Sequence, residues 1–271
     1  MPELPEVETT RRGIEPALRH QRIAALKIHD ARLRWPVDPH LPRLLRGQRI
    51  HRVTRRAKYL LLHLDTGTLI LHLGMSGSLR VLEATTPRRT HDHLDLILES
   101  GRALRFNDPR RFGSCLYTTA PPEQHPLLRH LAPEPLEPGF DAQYLYRITR
   151  GRRVAIKPLL MNARLVTGVG NIYASEALFR ARLAPPRGAR RLSLADCARL
   201  VRGVRTVLGL AIRSGGTTLR DYVGADGSPG EFRQKLYVYE RAGRPCRVCG
   251  APIRQRRQGQ RTTYDCPHCQ R

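Results

Sequence analysis

Near the start of the chain Val7, Arg11, Ile14 and Leu18 recur at a spacing that predicts an amphipathic helix beginning near Pro5, since a proline is tolerated in a first turn where no intrahelical N–H is missed. The period then drops to two. Tyr59 to Leu64 and Thr68 to Leu73, joined by Asp65-Thr66-Gly67, predict a hairpin, and Leu94 to Leu98 and Ala103 to Phe106, joined by Ser100-Gly101, predict a second. Six prolines between Pro121 and Pro138 then interrupt any regular pattern and suit a linker. Beyond them the period becomes 3.6. A helix is expected over Lys157 to Leu165, followed by a tight turn through Val166-Thr167-Gly168-Val169-Gly170 and a second helix from Ile172 to about Leu183, capped by Asn171. Ser193, with Asp196 three residues on, opens a third helix whose apolar stripe runs Leu194, Cys197, Leu200, Val201, Val204, Leu208, Ala211. The Gly-rich stretch from Ser214 to Glu231 is too long for a simple connection and is expected to be a binding loop or lid.

Composition narrows the partner. The 271 residues carry 48 Lys+Arg against 23 Asp+Glu, a formal charge of +25 spread along a globular pattern. A polyanion is implied, and nucleic acid fits better than a membrane surface, for which a basic amphipathic helix or an anchor would be typical. No apolar run is long enough to span a bilayer, and the acidic first turn does not open like a secretion signal, so a cytoplasmic protein is expected. Only Lys27, Lys58, Lys157 and Lys235 are lysines, leaving 44 arginines. Against that bias a retained lysine marks a position suited to a compact ammonium that can release a proton.

With Met1 removed, the chain would begin Pro2-Glu3-Leu4-Pro5-Glu6. A terminal proline nitrogen is a secondary amine, and its attack on a sugar carbon gives an iminium cation that acidifies the adjacent C–H. While Met1 is attached that nitrogen is a non-nucleophilic tertiary amide. At the positive end of a helix dipole the protonated amine is disfavoured, and Glu3 and Glu6, three apart, share a face beside it. An acidic first turn that merely complements the dipole is an equally ordinary reading of these residues alone.

The C-terminal region holds the most specific spacing, Cys246-x-x-Cys249, sixteen residues, then Cys266-x-x-Cys269. Four thiolates so spaced close a tetrahedral structural Zn2+ site with no open position, and Arg254, Arg256, Arg257 and Arg261 between the pairs make the unit cationic. His268 is read as a neighbour rather than a ligand, and Cys115 and Cys197 as buried. The turns His72-Leu73-Gly74-Met75-Ser76-Gly77 and Asn107-Asp108-Pro109-Arg110-Arg111-Phe112-Gly113 offer Met, Arg and Phe suited to refilling a stack from which a base has been extruded, although Met75 and Phe112 fit a core position under a loop equally well. His91-Asp92-His93 reads as a strand entry rather than a metal site.

Pro2 to Glu8, Lys58 before a hairpin, Leu73 to Gly77, Asp108 to Gly113, Gly168 to Glu176 and the four-cysteine end occur in an order that resembles the bacterial formamidopyrimidine-DNA glycosylases over essentially the whole chain. The opening and the Ser214 to Glu231 segment are closer to the 8-oxoguanine branch than to the endonuclease VIII branch. The resemblance implies a multidomain α+β protein: an N-terminal β-sandwich with flanking helices, a helix-two-turn-helix domain and a zinc β-hairpin. The expected boundaries are a catalytic domain over 1–130, a linker over 131–150, the helical DNA-binding domain with a lesion-capping loop over 151–233, and a zinc finger over 234–271. It further implies a monomeric base-excision-repair enzyme that removes oxidised purines from duplex DNA and then cleaves the strand by β,δ-elimination. Pro2 would be the nucleophile, Glu3 the acid at the sugar ring oxygen, Glu6 a site-ordering residue and Lys58 a phosphate contact that assists proton transfer. Met75, Arg110 and Phe112 would fill the vacated space, with Arg110 facing the orphaned cytosine. His91, Lys157, Asn171 and Arg261 would grip the kinked backbone, Arg261 being counted with the catalytic set; Zn2+ on the four cysteines would be the one cofactor. Asn162 departs from the acidic residue common in relatives at that position, outside the catalytic set. A non-catalytic DNA-binding zinc protein and a glycosylase of the same fold acting on oxidised pyrimidines are the competing readings, and Pro2, Glu3 and Lys58 speak against the first.

Overall fold

The computed structural model describes residues 2–217 and 232–271, and it divides into two compact units, 1–129 with 214–233 and 130–213 with 234–271. The first opens on helix α1 (Leu4–Leu18), whose N-cap Glu3 and third residue Glu6 form a reciprocal capping box and whose Pro5 stands in the first turn. Val7, Ile14 and Leu18 are all buried, as their spacing predicts.

Two four-stranded antiparallel sheets follow. Strands β1 (Ile23–Ile28), β5 (Ser78–Glu83), β6 (Asp92–Leu98) and β7 (Arg102–Asn107) pair in the order β1-β6-β7-β5. Strands β2 (Arg52–Arg56), β3 (Tyr59–His63), β4 (Thr68–His72) and β8 (Ser114–Thr118) pair in the order β2-β3-β4-β8, with the short helix α2 (Leu41–Leu45) packed on β1. Leucines of both sheets, such as Leu62 and Leu71 on one and Leu96 and Leu104 on the other, merge with Val7, Ile14 and Leu18 into one buried cluster, the arrangement of a sandwich closed by a helix. Both predicted hairpins are present, with Tyr59 opposite His72 and Leu94 opposite Phe106. The outer strands β1, β2, β5 and β8 lie in sequence without clear alternation and were not legible.

The second unit is helical: α3 (Ala142–Thr149), α4 (Ile156–Leu160), α5 (Asn171–Arg180) and α6 (Leu194–Arg213), followed by a hairpin of β9 (Arg254–Gln258) and β10 (Arg261–Asp265). The Ser193–Asp196 box at the start of α6 forms as predicted, each backbone N–H bonded to the other side chain at 3.0 and 3.1 Å. The α6 stripe is buried except for Leu194 in the first turn. At Gly203 a Cβ would stand 2.8 Å from the Ala177 carbonyl, so the absent side chain lets α6 lie directly on α5.

Two expectations change. The helix expected over Lys157 to Leu165 stops at Leu160, and the cap of α5 is Gly170, because the Asn171 side chain is engaged elsewhere. The segment 131–150 contains α3 and lies within the second unit. Residues 214–217 fold with the first unit, where Thr217 donates its N–H to Glu6, so the Gly-rich segment leaves from the sandwich side; its 218–231 portion lies outside the described residues.

Candidate functional site

In the first unit Pro2 is buried immediately ahead of the α1 N-cap. Glu3 and Glu6 are each 2 % exposed; the Glu3 carboxylate accepts the Glu6 N–H, and Glu6 Oε2 accepts the Glu3 N–H at 2.8 Å. The other Glu6 oxygen accepts the Thr217 N–H at 2.8 Å. One carboxylate therefore fixes both the residue after Pro2 and Thr217 at the entry to the Gly-rich segment. The placement of two acidic side chains where four helix N–H groups point outward is what the dipole favours.

Helix α1 packs on β2 and β3, and Lys58 occupies the turn joining those two strands, beside Ala57 in the left-handed region at φ 54. Beneath it His72 faces Tyr59 across the β3–β4 ladder, ring centroids 4.7 Å apart, and its Nδ1 accepts the Gly74 N–H at 3.0 Å. Burial, and then the charges of Lys58 and Arg34, push the His72 imidazole down to about 4, so it is neutral at physiological pH with its proton on Nε2.

The two turns that carry the wedge residues are joined by a single carboxylate. Asp108, fully buried, accepts Ser76 Oγ–H at 2.7 Å from the Met75 turn, and Gly113 N–H at 2.7 Å and Arg110 N–H at 3.3 Å from its own. Gly74, at φ +61, completes the juncture, since a Cβ there would collide with the Phe112 and Gly113 backbone. Met75 is half-buried, whereas Phe112 is 45 % exposed beneath the Arg110 guanidinium, 5.1 Å from the ring centroid. An aromatic ring so exposed is a presented group rather than core. His91 is exposed at φ 71 and its carbonyl accepts the Asp108 N–H, while His93 Nε2 donates to the Asp108 carbonyl at 2.8 Å and Asp92 accepts from Asn107 and Arg89.

In the second unit Lys157 is 1 % exposed. Its ammonium donates to Asn171 Oδ1 at 2.6 Å, Thr263 Oγ1 at 2.8 Å and the Thr262 carbonyl at 3.3 Å, tying α4 and α5 to β10. Asn171 Nδ2 donates to the same Thr262 carbonyl at 3.0 Å, and Arg261 stands exposed at the adjacent position of the strand, lining a 240 Å³ cavity with Lys157. Glu176, buried in α5, accepts the N–H groups of Tyr237, Val238 and Tyr239, each at 2.9 Å, and burial pushes its carboxyl above the ordinary range against their pull. Tyr239 in turn places its hydroxyl 3.4 Å from Asn171 Nδ2.

The four cysteines converge, all Sγ atoms within 4.8 Å of one another. Cys249 to Cys266 is 3.4 Å and Cys246 to Cys269 is 3.9 Å, bracketing the roughly 3.8 Å between sulfurs of a tetrahedral zinc thiolate. The Val248 and Cys269 N–H groups point at Cys246 and Cys266 sulfur, the outer bonds such a site needs. The residues fit zinc, which would staple the β9–β10 hairpin and hence Arg261. Cys115 and Cys197 are buried, their thiols pushed up to about 12 and about 11, and burial is the main cause.

His72, Asp108, Glu176 and Tyr239 acquire roles that periodicity and spacing do not reveal. Asp108 alone had a local signal, an Asn-Asp-Pro turn at the mouth of a strand.

A family model of the formamidopyrimidine-DNA glycosylase N-terminal domain matches residues 1–115, and one of the corresponding H2TH domain matches 131–223. The formamidopyrimidine-DNA glycosylase of Thioalkalivibrio sulfidiphilus is 59 % identical over 271 residues, covering 100 % of both chains. The crystal structure of the MutM (Fpg) protein of Thermus thermophilus superposes with a TM-score of 0.88 at 43 % identity, covering 99 % of this chain and 98 % of that one. Lactococcus lactis Fpg in complex with DNA containing an abasic site superposes with a TM-score of 0.90 at 33 % identity, over 99 % of each chain.

Proposed function

Since the chain belongs to the formamidopyrimidine-DNA glycosylase family and is a DNA glycosylase and AP lyase acting on oxidised purines, we propose how its own residues divide that work. The Pro2 nitrogen, freed by removal of Met1, attacks C1′ of the damaged nucleotide as the bond from C1′ to the base breaks, and the base leaves with that electron pair and takes up the proton that the Pro2 nitrogen sheds. Glu3, in its acid form, supplies a proton to the ring oxygen as the sugar opens. The resulting iminium acidifies C2′, so loss of that proton expels the 3′ phosphate, and a second elimination expels the 5′ phosphate. Lys58 neutralises the phosphate and assists these transfers, with neutral His72 beside it as a hydrogen-bond donor through Nε2.

The observation that carries this division is the α1 N-terminus. Glu6 holds the Glu3 backbone and Thr217 at once, which fixes Pro2 between a buried acid and the entry to the Gly-rich segment. Met75, Arg110 and Phe112 enter the vacated stack as a unit, and Arg110 faces the orphaned cytosine. His91, Asn171 and Arg261 bind backbone phosphates, while Lys157, bonded to Asn171 and β10, acts by positioning Asn171 and the strand that carries Arg261. The functional division assigns catalysis to 1–130, a linker role to 131–150, DNA binding to 151–233 and a zinc finger to 234–271, in a monomer working at the cytoplasmic nucleoid. No described helix is long and apolar enough to cross a membrane.

Borohydride reduction tests this reading. Protein shown to begin at Pro2, mixed with a duplex carrying 8-oxoguanine opposite cytosine, should yield a covalent adduct mapping to Pro2, and Pro2→Gly should trap far less. An adduct at a lysine instead would overturn the assignment.

A further inference from the structure

The C-terminal end of α5 faces a second concavity that the glycosylase chemistry does not use. Its volume is about 680 Å³, within the range of built ligand sites, and its walls include Phe179, Arg180, Arg182, Tyr237, Val248 and Arg271, all in the second unit, with His268 and the zinc-site Cys269 along one side. None of these belongs to the Lys157, Asn171 and Arg261 group. Asn171 and Arg180 are the two ends of α5, nine residues apart, which separates the groups by about 14 Å along the helix.

Three observations define its chemistry. First, among the described residues no acidic side chain pairs with Arg180, Arg182, Arg241, Arg244, Arg247 or Arg271, whereas elsewhere in this unit Arg254 and Arg256 pair with Asp265, and Arg187 and Arg199 with Asp196. The Arg241 guanidinium is held below its ordinary value by burial and then by Arg247 and Arg244, with Glu176 and Cys246 pulling the other way; Glu176 also acts on Arg180, without forming an ion pair with either. Second, Arg180 Nε is buried without a hydrogen-bond partner, a donor for which a native structure normally supplies an acceptor. Third, the concavity has an apolar floor. Phe179 stacks on Tyr237 at 5.2 Å, and Val248, 62 % exposed, adds apolar surface beside them.

We propose that this concavity is a docking site for an acidic peptide segment of a partner protein, with carboxylates on the arginines and an apolar side chain against Val248 and Phe179. A nucleic acid strand fits less well. Stacking a base needs an open aromatic face, and the Tyr237 ring is already engaged by Phe179 and by the guanidiniums of Arg180 and Arg247 at 5.1 and 5.8 Å. The concavity is a bounded bowl, whereas a phosphate backbone needs an extended cationic track.

The test is fluorescence anisotropy with the full-length, zinc-loaded protein and a dye-labelled peptide of Asp and Glu residues around a Phe-Leu pair. Saturable binding is expected, weakened on the order of tenfold by Arg182→Glu and by Arg271→Glu and abolished when Asn and Gln replace the acids. Replacing Phe and Leu by Ser should weaken it as well, and saturating undamaged duplex should leave it in place. Both substituted side chains are exposed, and each variant should retain zinc, its melting temperature and the wild-type rate of nicking. Absence of saturable binding, indifference to both substitutions, or displacement of the peptide by duplex would overturn the proposal. A thymidine oligonucleotide that outcompetes the peptide, with the same sensitivity to Arg182→Glu and Arg271→Glu, would overturn it in favour of a nucleic acid site.

Discussion

Replacing Asp108 by alanine should separate the two turns that present Met75, Arg110 and Phe112. The carboxylate is fully buried and accepts two close hydrogen bonds, from Ser76 Oγ and Gly113 N at 2.7 Å each, and a longer one from Arg110 N at 3.3 Å. In Asp108→Ala at least the Ser76 hydroxyl and the Gly113 N–H remain buried without an acceptor, at about 1–3 kcal/mol each, a loss of roughly 2–6 kcal/mol. At about 2–4 °C per kcal/mol for a unit of this size, the melting temperature should fall by on the order of 10 °C. Asp108→Asn should cost less, roughly half, because one oxygen still accepts and the Ser76 hydroxyl can rotate to accept from the new amide. The functional signature is selective. Excision of 8-oxoguanine from duplex DNA should slow by about tenfold or more in Asp108→Ala, since displacement of positioned groups by an ångström has effects of this order, whereas nicking at a preformed abasic site, where no base remains to be extruded, should change less. Melts followed by circular dichroism and single-turnover nicking on the two substrates would measure both. If Asp108→Ala melted with the wild type and cut both substrates at the wild-type rate, the coupling of the two turns through this carboxylate would be refuted.

Three further outcomes are expected. His72 stays neutral in the folded protein down to about pH 4, while an unfolded chain titrates near 6.5, so the stability it contributes is complete above about pH 6.5 and is lost as pH falls toward 4; heteronuclear NMR of the ring nitrogens should show no protonation at pH 6, and a His72 titrating near 6.5 would contradict the burial argument. Metal analysis should return about one zinc per chain, and its removal by a thiol-directed mercurial should weaken binding to undamaged duplex, because the β9–β10 hairpin that holds Arg261 loses its staple; unchanged binding by metal-free protein would contradict this. Glu176→Gln should destabilise the second unit by about 2–4 kcal/mol, since one amide oxygen cannot accept three backbone N–H groups, and should weaken duplex binding through Tyr239 and Asn171; chemical denaturation and filter binding would report the two effects, and wild-type values for both would refute the role given to Glu176.

What the sequence determined by itself is what depends on short-range spacing. The α1 face of Val7, Ile14 and Leu18, the β3–β4 and β6–β7 hairpins, the Ser193–Asp196 box and the four-cysteine cluster all rest on residues within a few positions of one another or on a metal-ligand spacing, so local geometry suffices. The proposal for Pro2, Glu3 and Lys58 starts from a related signal: a secondary amine beside acids once Met1 is removed, and a lysine kept among arginines, are unusual in type as well as in position. Tertiary structure decided the rest. Asn171 reads locally as a helix cap, but α5 is capped at Gly170 because Lys157 and β10, distant in sequence, claim the Asn171 amide. Asp108 joins turns 32 residues apart, Glu6 bonds Thr217, 211 residues away, and Glu176 holds backbone more than 60 residues on. A buried carboxylate must satisfy its lone pairs, yet nothing in its own neighbourhood says with which donors; that choice is made only when the sheets and helices close around it.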